Sequence, residues 1–326
     1  MTVSSRLTTP SHNPSDTSGA VPIWLLRIFR ANLVAQIAIV VTGGLVRLTG
    51  SGLGCPTWPQ CVDDSFIPTT RQEESWHKLV EFGNRTLTFV LGLLAIAAIV
   101  GVVVWFRQRR ATGHTRRTPI LVLAAIPLIG TIGQALLGGV TVLTGLNPYV
   151  VAAHFLVSIG IIGGCVILVD RAQDPADQPV TEVVRREITW LGNALIVVAL
   201  VVVTLGTVVT GSGPNSGDAD VSHRFGIDQR AAAWLHADAV YLFVGLLVAM
   251  LLALRLTDAG ELARRRMWLL IAATVANGLV GYLQLFTGLP WAIVATHMLL
   301  ACLVWVCVVR VRLTLRIRGI DQTPAH

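Results

Sequence analysis

Residues 138–156, GGVTVLTGLNPYVVAAHFL, align without a gap on residues 281–299, GYLQLFTGLPWAIVATHML. Eight of the 19 positions are identical, among them Thr144/Thr287, Gly145/Gly288 and His154/His297. Two unrelated apolar segments would not share that much. The tetrapeptide TGSG at 49–52 returns at 210–213, each time closing an apolar run. The chain therefore reads as two copies of one unit.

Working outward, apolar runs of roughly 20 residues, the length that crosses a bilayer, fall at 23–47, 79–106, 119–143, 147–169, 188–210, 232–254, 267–287 and 290–309. Charged residues make up 13% of the 326 positions, against about 25% in a soluble domain, and the mean hydropathy is +0.68. The expectation is an all-α, polytopic membrane protein with eight transmembrane helices in two repeated four-helix bundles. An even number of spans per copy keeps both in one orientation, related by an axis along the membrane normal. The division expected is a disordered tail at 1–22, rich in Ser, Thr and Pro, an N-terminal half at 23–170, a linker at 171–187, a C-terminal half at 188–312 and a tail at 313–326. The first apolar run is too long for a signal peptide and lacks a small-residue cleavage site.

A net charge of +7 invites a nucleic-acid reading, but the placement of the charge argues against one. With eight spans, 19 of the 25 basic residues fall in the loops and helix ends on the side of the two termini. The positive-inside rule then places both termini in the cytoplasm of a plasma-membrane protein. The basic balance is a topology signal, and membrane lipid rather than nucleic acid is the surrounding partner. The other six, Arg47, Arg71, Lys78, Arg85, Arg224 and Arg230, belong to the outer side.

Four histidines lie near the outer ends of the four even-numbered helices: His77, His154, His236 and His297. An ionisable group within a span is costly and points to function. Imidazole is a standard axial ligand of heme iron, and cofactor sites in helical bundles form from inward-facing side chains on neighbouring helices. One flat porphyrin between helices 6 and 8 would take His236 and His297, with a twin between helices 2 and 4. At 1.5 Å per residue, His236, His154 and His297 stand roughly 28, 25 and 20 Å from the first cytoplasmic arginine, inside a core about 30 Å thick. His77 stands roughly 45 Å from Arg107, at or above the outer interface. Asn84, deeper on the same face, is nearer the right level.

In HKLVEFGNRT the residues His77, Glu81, Asn84 and Thr88 follow helical spacing and form a polar stripe. Glu81 with Arg85 has the order and spacing of an intrahelical ion pair; a carboxylate facing a cofactor cleft would also handle protons. Arg47, Arg85, Arg224 and Arg230 are candidates for porphyrin propionates, since guanidinium matches carboxylate geometry. Cys55 and Cys61 flank CPTWPQC in an oxidising outer loop, where a disulfide persists; two free thiols or a metal pair are the alternatives. Cys165, Cys302 and Cys307 read as small packing residues.

These residues together resemble the heme A synthase family, in an actinobacterial-like variant. The resemblance runs from about residue 23 to 312 and rests on GGLVRLTGSGLGCPTWPQC, on EFGNR, on TGL before the helix 4 and helix 8 histidines, and on TGSGP and LHAD. It implies conversion of heme O to heme A for cytochrome oxidase, by oxidising a porphyrin methyl to a formyl in successive hydroxylations. It implies His236 and His297 as ligands of a heme b cofactor, His154 as a ligand of the substrate heme O, and Glu81 as the family's essential glutamate. The family pattern Glu-x-x-His-Arg has asparagine here, at Asn84, so the group opposite His154 is Asn84, His77 or none. Cys55 and Cys61 match the family's outer pair. Heme O synthase and cytochrome oxidase assembly factors are the implied partners, and a homo-oligomer stays open. A di-heme membrane quinol or ferric reductase of cytochrome b type is the alternative enzyme, and a transporter of repeated halves the alternative outside enzymes.

Overall fold

The structure is a computed structural model, and it describes residues 20–62, 64–69, 76–113, 116–174, 180–214, 217, 223–257 and 259–318. Eight long helices are present among them: α1 Ile23–Leu48, α2 His77–Ala111, α3 Thr118–Leu143, α4 Pro148–Arg171, α5 Arg186–Ser212, α6 Gln229–Leu256, α7 Glu261–Phe286 and α8 Trp291–Thr314. All eight are long and apolar enough to cross a membrane, and the protein is an all-α, multi-pass membrane protein. Several helices outrun the apolar stretches read from the sequence, because basic residues such as Arg109 and Arg110 ride out on the last turn of a helix. There they also complement the negative end of the helix dipole.

The TGL turns show how one short sequence is used twice. Gly145 and Leu146 have φ of 60° and 59°, and Gly288 and Leu289 have φ of 78° and 60°. Leu146 N–H donates to Thr141 O at 2.8 Å, and Leu289 N–H donates to Gln284 O at 2.7 Å. Each is the six-to-one bond of a Schellman stop, and a left-handed leucine, which costs roughly 1–2 kcal/mol, is accepted at the same place in both. The TGSG echo is looser: α1 ends before its copy, whereas α5 runs through to Ser212.

Packing closes two rings. In one, α1 lies against α2, α2 against α3, α3 against α4 and α4 against α1; in the other, α5, α6, α7 and α8 follow the same cycle. The rings meet where α8 packs on α1 and α4, and where α4 packs on α5. The histidine-bearing helices α2 and α4, and α6 and α8, are thus diagonal rather than neighbouring, which corrects the sequence expectation. Packed neighbours have axes only 8–10 Å apart, too close to admit a ring between two imidazoles, whereas the diagonal leaves that room.

Lipid tails are as apolar as leucine, so close packing and hydrogen bonds hold such helices together rather than water exclusion. At the seam, Met298 of α8 lies where Gly44 of α1 has no side chain. Trp305 Nε1 donates to Ile159 O across α8 and α4 at 2.9 Å, with its ring against Gly163. Trp305→Phe is expected to lower stability by about 1 kcal/mol, the usual net worth of one such bond, measurable by thermal unfolding in detergent.

Parts of the linker and of the C-terminal tail pair with each other. Strand β1, Val180–Glu182, pairs antiparallel with β2, Arg316–Arg318, and Arg312 Nη2 donates to Glu182 Oε1 at 2.9 Å. The β-branched residues Val180, Thr181 and Ile317 suit this pairing, but only the return of α8 beside α4 and α5 brings the segments together. The expected disorder over 1–19 lies outside the described residues. Val21 is buried and its N–H reaches Ala172 O, so ordered chain begins earlier than residue 23.

Candidate functional site

A cavity of about 910 Å³ runs through both rings at the end of the bundle that carries the 49–62 loop. That is at the upper end of small-molecule and cofactor sites. Its walls include His154, His236 and His297, with Glu81, Asn84, Thr88, Arg47 and Arg85.

Each histidine on the wall backs onto a glycine of the preceding helix. A Cβ built on Gly206 would stand 3.4 Å from His236 Cε1, one on Gly281 3.2 Å from His297 Cε1, and one on Gly138 3.4 Å from His154 Cε1. In the two C-terminal cases the ring is also fixed by a carbonyl one turn before the glycine: His236 Nδ1 to Val202 O at 3.0 Å, and His297 Nδ1 to Asn277 O at 3.2 Å. A carbonyl acceptor on Nδ1 selects the tautomer whose Nε2 lone pair is free, the usual way a ligating imidazole is oriented. At His154 the ring is turned the other way. Its Nε2 lies on the Gly138 side, and Nδ1 is buried with no hydrogen-bond partner among the described residues. Gln134, at the position matching Asn277, instead donates through its side chain to His154 O at 2.8 Å.

These features fit a heme. Among the described residues, Nε2 of His236 and of His297 and Nδ1 of His154 have no hydrogen-bond partner, glycines give the imidazoles room, and the cavity is large and mainly apolar. Gly281→Val would push a branched side chain into His297, and the expected result is a several-fold loss of bound pigment. A visible spectrum of the purified protein checks this.

The fourth place in the pattern is Asn84. Gly43 of α1 lies behind it, its built Cβ 3.7 Å from Asn84 Nδ2. Thr42 Oγ1 donates to Asn84 Oδ1 at 2.8 Å. His77 does not line the cavity; its Nδ1 shares a hydrogen bond with Ser51 Oγ at 2.8 Å and its ring stacks on Trp76. It fastens the TGSG segment to the start of α2.

Glu81 and Arg85 combine the two alternatives the sequence left open. Glu81 is 5% exposed and lines the cavity, and it is also ion-paired to Arg85, Oε1 to Nη2 at 2.6 Å. Its Oε2 accepts from Cys55 N–H at 2.7 Å. The five N–H donors of a guanidinium are all engaged at Arg85: Nε and Nη2 to Glu81, Nη2 to Cys55 O, and Nη1 to Thr57 O and Gln60 O. No donor remains for a propionate, so Arg85 is a clamp on the CPTWPQC loop. Cys55 and Cys61 are joined in a disulfide, and the loop sets Trp58 against Gly139 over the cavity. Arg47 does line the cavity, also donating to Thr210 O at 3.4 Å. Arg224 and Arg230 are exposed and away from its walls. Of the four arginines only Arg47 and Arg85 line the cavity, because Arg224 and Arg230 ride on the loop before α6 and on its exposed first turn.

Sequence reasoning missed the glycine backing, Thr42, and the Trp58 lid. Part of the glycine backing could have been found, since Gly138 falls on Gly281 at the first position of the aligned repeat.

A family model described as cytochrome oxidase assembly protein, COX15-CtaA, matches residues 26–215, more than half of the chain. The chain belongs to this family. The COX15-CtaA match takes in Glu81, Asn84, His154 and the disulfide loop; His236 and His297 lie beyond it and join the site through the fold. The chain is similar to proteins named Heme A synthase. The one from Lysinibacillus sphaericus is 32% identical over 186 residues, 55% of each chain. That from Geobacillus kaustophilus is 32% identical over 117 residues, 36% of this chain and 32% of the relative. That from Listeria welshimeri is 32% identical over 145 residues, 44% of each. In these matches the chain spans about half or less of the length of the curated relatives.

Proposed function

We propose that this protein is a heme A synthase: it oxidises the methyl group of heme O to a formyl group, giving heme A for cytochrome oxidase. One observation carries the reading. Three histidines from two diagonal helix pairs face a single cavity, with an acidic side chain, Glu81, on the same wall. His236 and His297 would hold a heme b, and their carbonyl partners at Val202 and Asn277 fix the rings. Bound there, heme supplies one-electron redox chemistry, while the protein supplies binding, orientation and electrostatics. His154 binds the iron of the substrate, and Arg47 offers a guanidinium to one of its propionates. Glu81 stabilises positive charge developing at the oxidised carbon or passes a proton from it.

The charge pattern supports both termini in the cytoplasm of a plasma-membrane protein, with the histidines and the disulfide loop toward the outer face. That side is the compartment in which a disulfide persists. Heme O synthase and cytochrome oxidase assembly factors are the natural partners, since one makes the substrate and the others take the product.

The test is to express the chain in a strain that makes heme O and lacks heme A, then extract and separate the hemes. Heme A should accumulate. Heme B alone on the purified protein, with no heme A in the cells, would instead assign it to electron transfer, as in a di-heme reductase.

A further inference from the structure

We infer that the α2 side of the N-terminal pocket is an open coordination face: a porphyrin iron held there by His154 has no second protein ligand and takes a small diatomic ligand on the Asn84 side. This rests on the reading of that pocket as the heme O site. The imidazole, carboxylate and amide that α2 brings to this end of the bundle are each committed elsewhere. His77 is bonded to Ser51, stacked on Trp76 and off the cavity wall. Both carboxylate oxygens of Glu81 are engaged, by Arg85 and by the Cys55 amide. Asn84 stands where the repeated glycine backing puts a histidine on the three other even-numbered helices. It carries a neutral amide whose oxygen accepts the Thr42 hydroxyl at 2.8 Å. The usual protein ligands of heme iron are imidazole, thiolate, thioether and phenolate, and a neutral amide is none of them.

The two pockets then differ in kind. The C-terminal one offers two imidazoles oriented by carbonyls, which would together hold a porphyrin iron. The N-terminal one offers a single imidazole and, across from it, the polar wall of Glu81, Asn84 and Thr88. The hydrogen-bonding groups over an open heme face decide how it treats oxygen, so this wall is where a diatomic ligand would be held.

The experiment uses the holoprotein purified from cells making heme O, reduced with dithionite and exposed to carbon monoxide, with electron paramagnetic resonance on the oxidised form. The wild type should bind about one carbon monoxide for every two porphyrins and show a high-spin ferric signal beside a low-spin one. Asn84→His should abolish carbon monoxide binding and convert the high-spin signal to a second low-spin one. Asn84→Ala should keep carbon monoxide binding, and His154→Leu should remove the reactive porphyrin. Two porphyrins per wild-type chain, both low-spin and unreactive, would overturn the inference. So would an Asn84→His protein that keeps the C-terminal low-spin spectrum and still binds carbon monoxide as before. A single porphyrin per chain, untouched by His154→Leu, would defeat the reading of the pocket itself and the inference with it.

Discussion

Replacing either His236 or His297 by leucine is expected to erase the low-spin b-type spectrum of the purified protein. Both imidazoles line the cavity with Nδ1 held by a backbone carbonyl, which leaves Nε2 as the nitrogen available to a ligand. Losing only an orienting partner of a metal ligand typically costs 10–100-fold in affinity; losing the ligand itself should cost more than that, and pigment per chain should fall accordingly. His223→Leu serves as the control, because that residue is exposed and away from the cavity. A normal bound-heme spectrum in either ligand variant would refute the pairing.

The second large effect is expected at Glu81. Its side chain is 6% exposed and that of its partner Arg85 21%. Removing one member of a buried pair leaves an uncompensated charge, typically at a cost of about 3–5 kcal/mol. Glu81→Ala also releases the Cys55 amide, so the loop bearing the disulfide and Trp58 loses an anchor on α2. The expected outcome is a lower unfolding temperature together with loss of most heme A formation. Glu81→Gln separates the two effects, since it keeps an oxygen for the Cys55 amide and drops the charge. If it restores stability while heme A stays low, the carboxylate acts in the chemistry. Heme A formed at the wild-type rate by Glu81→Ala would remove Glu81 from the mechanism.

The number and nature of the helices were legible residue by residue, because crossing a bilayer is a local demand that each apolar run must satisfy alone. The histidines stood out for the same reason: an ionisable group inside such a run is conspicuous without any knowledge of its neighbours. The depth count from His77 to Arg107 set that residue apart from the other three, and in the structure it is the one off the cavity wall. The arginines were less legible. Arg47, Arg85, Arg224 and Arg230 look alike in sequence. What separates them is which donors are already taken and which side of the ring each one occupies, and both are set by residues far away in the chain.

By itself the amino-acid sequence determined eight membrane passes, a duplicated TGL stop with its trailing histidine, and a carboxylate four residues before an arginine on α2, since each follows from spacing along one helix or from hydropathy over one span. Only the tertiary structure decided that the histidine helices are diagonal, that Gly43, Gly138, Gly206 and Gly281 make room behind Asn84 and the three imidazoles, and that Arg85 spends every donor on the disulfide loop and Glu81. Such facts depend on which helices meet and at what separation, and in a bilayer that choice rests on close packing and a few polar contacts between distant residues, which no local pattern encodes.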